Sequence, residues 1–285
     1  MQNDHSNDTP KPVVPDLREV VQNELPILFE FMPETDRTWG IANKLFKAEV
    51  EKRYQEAGDS TVEVEANLYY IIRKVQLGDQ QAIRMLNFFQ RLLEEITMYL
   101  PEAERERIRK TIKDILISMD HQYLNFFGEI AVLNNIMKTG LYNLTAVEYK
   151  LSDSDNTIDF AFSNKTTGGN LLVEVVNMHP KSNKIENHPE KIATFLTTKF
   201  SKKILSKATT EQFYLTPVIW APVADLKIYS EFLANNNLPV AGLIEPAAYA
   251  TFVSPEDGAI FIHRFGRLTT LFTDKFGGEY STNYS

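Results

Sequence analysis

Between residues 16 and 119 apolar side chains recur every three or four positions, the period of helices that bury one face. The clearest stretch begins where Gly78 and Asp79 end one element and open the next, QQAIRMLNFFQRLLEEITMYL. Leu100 then precedes Pro101, a residue suited to a first helical turn. Beyond it Ile108, Ile112, Ile115, Leu116 and Met119 form one stripe at helical spacing. Less regular helical pieces are expected around 17–31, 36–56 and 63–77, so this half reads as a small helical bundle. Residues 1–15, rich in Asn, Asp and Pro, read as a flexible lead.

After residue 120 the pattern changes. HQYLNFFGEIAVLNNIMKTG predicts an amphipathic helix with Tyr123, Phe126, Ile130, Leu133 and Met137 inward, closed by Gly140. Three short runs of strand composition follow at 144–151, 157–164 and 171–178, separated by the polar clusters SDSDN and KTTGGN. Connections that short imply antiparallel neighbours in a meander. A helix over 188–207, with Ile192, Leu196, Phe200 and Ile204 at spacing four, leads into a strand over 213–220. The intervening helix lets that strand pair parallel in the same sheet. A helix near 224–235 and a hairpin, AYATFVSP and AIFIHRFG turned at EDG, complete an α/β region over 120–275. Residues 276–285 read as a loose tail.

Composition narrows the chemistry. The 285-residue chain has no cysteine, which excludes disulfides, thiolate metal sites and cysteine catalysis. Its polar, proline-rich start is not a secretory signal, and no run approaches the ~18 apolar residues of a membrane span. A cytoplasmic protein with no membrane partner is expected. There is no GxxxxGK[ST] loop, no GxSxG elbow and no HExxH helix. The net charge of −8 argues against broad nucleic-acid binding, yet residues 181–207 hold seven lysines against Glu186 and Glu190. Lys191 and Lys202 fall on nearly the same helical face, and such a strip over 188–207 suits the phosphate backbone of DNA or RNA.

Three acids stand out. Glu129 flanks the apolar stripe of its helix and leans towards the core. Asp159 alternates with Ile158, Phe160 and Phe162 and so shares a strand face with Ala161. Glu174 interrupts the run LLVEVV, a costly place for an unpaired carboxylate. Taken singly, Asp159 accepts hydrogen bonds in its strand, and Glu174 pairs with Lys150 or with a lysine of the next helix. Taken together, carboxylates of one sign near each other call for a cation, and hard oxygen ligands suit Mg²⁺ or Mn²⁺.

In their order along the chain, GEIAVL, TIDFAF and VEVVN resemble the PD-(D/E)XK nucleases, with Asp159 and Glu174 fifteen positions apart. The resemblance covers residues 120–220 and implies a restriction-endonuclease-like core. It further implies a divalent-metal site of Asp159, Glu174 and Glu129, and metal-assisted hydrolysis of DNA or RNA. The chain departs from the pattern where the family places a lysine, two positions after the strand glutamate, because that residue is Val176. Lys191, which takes the phosphate-contacting role in this reading, and Lys150 are the replacements, with Lys181 next. Asn177 substitutes only if the strand bulges. His179 and His188 at the strand exit, and His263, Arg264 and Arg267 near the hairpin, are further substrate-facing candidates. The alternative from Val176 is a catalytically inactive nuclease fold that binds nucleic acid, or binds a protein through its helical half.

Overall fold

The computed structural model describes residues 14–57, 67–180, 189–221, 223–235, 242–244, 246–253, 261–268 and 280–281. The chain is α/β, with helices filling the first half and a mixed sheet the second. The first half holds α1 (Leu17–Glu24), α2 (Arg37–Ala57), α3 (Leu68–Gln76), α4 (Gln80–Tyr99), α5 (Glu102–Arg105) and α6 (Arg109–Ile117). Polar caps set their starts: Asp16, Asn67 and Asp79 each accept a backbone N–H of the following turn, from Arg18, Tyr70 and Ala82. Pro101 precedes the single turn of α5.

The expected helix at 120–140 is α7 (Tyr123–Lys138), but its buried face differs from the one-stripe expectation. Phe127 is fully buried, whereas Phe126 and Met137 are only half-buried. Ala131, Val132 and Asn134 are buried as well. The cause is packing on more than one side: α7 lies against α4 and α6 and also against the sheet. A helix packed on several sides buries more than one stripe, so a single stripe does not describe it.

The sheet comprises β1 (Tyr142–Lys150), β2 (Thr157–Asn164), β3 (Asn170–Met178), β4 (Tyr214–Trp220), β5 (Ala247–Val253), β6 (Phe261–Arg267) and β7 (Tyr280–Ser281), neighbours in that order. The first three strands form the expected antiparallel meander. After α8 (Pro189–Lys207), β4 joins β3 in parallel, and after α9 (Val223–Asn235), β5 joins β4 in parallel. The β5–β6 hairpin is antiparallel, and its turn lies outside the described residues. The tail expected to be loose contributes a short pairing, Tyr280 with Phe265 and Ser281 with Arg264. Backbone groups on the exposed edge of β6 find partners there.

Alternation along β3 divides the core. Val173 and Val175 face α7 and the helical half, while Val176 and Met178 face α8 and α9. On α8, Ile192, Leu196 and Phe200 are buried as expected, but Ile204 is 38% exposed. The larger cluster runs without a break from Leu17 through Phe89 and Phe127 to Ala247, so the change of element type near residue 120 does not divide it. Among the described residues, no helix is long and apolar enough to cross a membrane.

Candidate functional site

The β2–β3 ladder runs from Ser163 opposite Asn170 to Phe160 opposite Val173 and stops there. The next residues along the two strands are Asp159 and Glu174. Their side chains accept the N–H groups that the ladder leaves over. Asp159 N–H donates to Glu174 Oε2 at 3.2 Å, and Val175 N–H donates to Asp159 Oδ2 at 2.7 Å. Two carboxylates thus satisfy donors at the point where the strands part.

Glu174 is fully buried. Its Oε1 receives two ammonium groups from successive turns of α8, Lys203 Nζ at 2.6 Å and Lys207 Nζ at 2.7 Å. Both contacts are ion pairs to a carboxylate with no exposed surface of its own. Lys207 also donates to Thr157 O at 2.5 Å, tying the start of β2 to the end of α8.

Asp159 and Glu129 are half-buried and line an open cavity of about 430 Å³ beside this pair. Burial, and then the charge of Glu174, push the Asp159 carboxyl up to about 6. Burial, and then Asp159, push Glu129 well above the usual carboxylate range. Lys203 opposes both shifts. Burial works against charge on Lys203, but Glu174 and Asp159 outweigh it and raise its pKa. The opposite wall carries Lys199, Lys202 and Lys203, with Ser206 beyond. Carboxyls whose pKa values are raised by burial and by each other, in a cleft facing ammonium groups, mark a candidate chemical site.

A polar network fixes the helix that delivers Glu129. Asn177 donates from Nδ2 to Asn125 O at 3.0 Å and accepts Trp220 Nε1–H at Oδ1, 2.9 Å away. His179 Nε2 stands 2.8 Å from Asn125 Oδ1, and its ring stacks on Trp220. Burial, and then His121 and Lys199, push His179 down to about 4, so it is neutral at pH 7. Gly128 permits this approach: a Cβ there would lie 2.3 Å from Asn177 Oδ1.

The fold therefore brings Glu129, Asp159 and Glu174 together, with Glu174 beneath the cavity wall instead of on it. Lys191 stands apart. It lines an adjoining hollow of about 380 Å³ with Phe195, Lys199 and Lys202. Lys150 is exposed and pairs with Asp155 at 3.3 Å. Lys181 and His188 lie outside the described residues, as do the side chains of His263, Arg264 and Arg267, whose strand β6 is separated from β3 by β4 and β5. Asn177 keeps the alternation of its strand, since its side chain engages α7 and Trp220. Lys203 and Lys207 were not singled out from the sequence. Their signal was the row Lys199, Lys203, Lys207 at spacing four, one face of α8, following a strand with a buried glutamate.

Among the described residues, no group of three or more His, Cys, Asp or Glu side chains is placed to hold an ion. Glu174 already faces two lysines, which leaves Glu129 and Asp159 on the cavity wall. That donor set fits Mg²⁺ or Mn²⁺, because such ions often take one or two protein carboxylates and complete their shell with water and substrate phosphate. Comparison with family models, curated proteins and solved structures gives no match for this chain.

Proposed function

We propose that this chain is a divalent-metal-dependent nuclease of the PD-(D/E)XK kind, hydrolysing phosphodiester bonds of DNA or RNA. One observation carries the reading: Glu129 from α7 and Asp159 from β2 reach one open cavity whose facing wall presents Lys199, Lys202 and Lys203. Glu129 and Asp159 would hold Mg²⁺ or Mn²⁺ through their ionised forms, and a bound cation would lower the pKa values that burial and mutual repulsion raise. When bound, the cation supplies Lewis-acid chemistry, acidifying water and neutralising charge that develops on a phosphate. Lys203, held against Glu174, takes the place in space that Val176 vacates in sequence and faces the phosphate under attack. Lys199 and Lys202 carry the neighbouring phosphates, and Lys191 extends that track along α8.

A second reading rests on a different observation. Lys203 and Lys207 together balance the charge of Glu174, as expected of a nuclease fold kept for binding alone. Cleavage of mixed single- and double-stranded DNA and RNA, titrated with Mn²⁺, separates the two. The nuclease reading expects cleavage that disappears in Asp159→Asn and Glu129→Gln and weakens through KM in Lys202→Ala. If the wild-type chain cuts none of these substrates but still retains them on a filter, the binding reading replaces it.

A further inference from the structure

One stripe of α8, Ile192, Leu196 and Phe200, is buried against β3, β4 and α9. The adjoining face carries Lys191, Lys199 and Lys202, all exposed. With 3.6 residues per turn, these three lie within about 40° of Phe195 around the helix axis. An aromatic ring thus sits in the middle of the lysine face. Phe195 is half-buried and meets Tyr229 of α9 edge-to-face, with ring centroids 6.5 Å apart. Together with the three lysines it lines the open hollow of about 380 Å³. Lys199 Nζ stands over the ring, 5.8 Å from its centroid. Such a contact is weak at an exposed site, so a flat ligand can displace it.

This hollow continues the acid cavity, because Lys199 and Lys202 line both. Phe195 precedes Lys203 by eight residues of α8, a rise of about 12 Å along the axis. An occupant of the whole track must meet two demands. The row of ammonium groups calls for an anion repeated along its length, which a phosphate backbone supplies. The ring among them calls for a flat partner within reach of those phosphates, which a nucleobase supplies. A duplex meets only the first demand, since its bases stack on one another and present their edges in the grooves. Glu190 lies at the N-terminal end of the lining, where the run of positive charge stops.

We propose that the strand held by this face is single, with one base stacked on Phe195 and the flanking phosphates on Lys199 and Lys202. This rests on the nucleic-acid reading above, and narrows DNA or RNA of either form to unpaired segments.

The test is equilibrium binding of a labelled single strand, and of a duplex of the same length, read by fluorescence anisotropy. It uses the full chain carrying Asp159→Asn, in which the nuclease reading expects no cleavage. Adding Phe195→Leu keeps an apolar contact for Tyr229 but removes the aromatic face. It is expected to weaken single-strand binding about tenfold and to leave duplex binding unchanged. Phe195→Trp should restore the affinity and add a tryptophan whose emission the single strand quenches and the duplex does not. Lys202→Ala should weaken both forms alike, since it removes a phosphate contact alone. If Phe195→Leu weakens both forms equally or neither, or if only the duplex binds, the proposal is overturned while the nucleic-acid reading stands. If neither form binds, both fall.

Discussion

Asp159 ties a proton to the parting of two strands. Its folded pKa of about 6 lies above the ordinary aspartate value, so between about pH 4 and 6 the folded chain holds a proton the unfolded chain has released. The folded state then binds more protons, and this contribution to stability falls as pH rises through that window. Asp159→Asn keeps an oxygen to accept Val175 N–H but removes the titration. In metal-free urea denaturation, the wild type should therefore lose stability relative to Asp159→Asn from pH 4 to 6. Parallel curves would mean that Asp159 ionises as an exposed acid does. Glu174→Gln should behave differently, costing about 3 kcal/mol near neutral pH because Lys203 and Lys207 lose their shared counter-charge. The acids were legible in the sequence because a carboxylate within LLVEVV is conspicuous. That Glu174 pairs with a lysine of the following helix was legible too, but which lysines was not, since a lysine on an amphipathic helix is ordinary until the fold shows what its row faces.

The elements divide in the same way between what periodicity reveals and what packing decides. The meander and the parallel β4 follow from short polar connections and one intervening helix, and both are present. The burial of α7 does not follow, because periodicity cannot show that a helix is enclosed on more than one side. Nor does sequence show that the β2–β3 ladder ends at Phe160 and Val173, the event that exposes Asp159 and Glu174 to each other. Gly128 is where the helix meets this arrangement. Gly128→Ala would drive a Cβ into Asn177 Oδ1, breaking the links to Trp220 or Asn125 or pushing α7 outward. We expect a loss of about 1–3 kcal/mol, together with loss of any Mn²⁺-dependent rise in Tm, since Glu129 moves with its helix. Gly40→Ala in α2 is the control. A Cβ there meets nothing within 4 Å, so the better helix propensity should stabilise by up to about 1 kcal/mol. Equal effects of the two substitutions on the Mn²⁺ response would detach Glu129 from the metal site.

At the scale of the molecule, the change of pattern near residue 120 suggests a helical domain followed by an α/β domain, yet burial joins them. Trp39 in α2 and Trp220 at the end of β4 belong to one contiguous cluster, linked through Phe89, Phe127 and Val218. Phe89 and Phe127 stack at 4.0 Å across the α4–α7 contact, so neither half can open without exposing the other's apolar face. Removing that face from one side would leave a large uncovered surface on the sheet, a poor state for an independent domain. The chain has only these two tryptophans, one in each half, which makes the cooperativity directly measurable. Trp220→Phe leaves Trp39 to report on the helices, and Trp39→Phe leaves Trp220 to report on the sheet. Urea titrations of the two variants, each compared with its own far-UV circular dichroism, should give coincident fluorescence and dichroism transitions in both. A fluorescence midpoint displaced from the dichroism midpoint by more than about 0.5 M, in opposite directions in the two variants, would mean that the halves unfold separately. The helices would then be an appended domain. Coincidence makes them half of the wall that holds α7, and therefore Glu129, against the sheet.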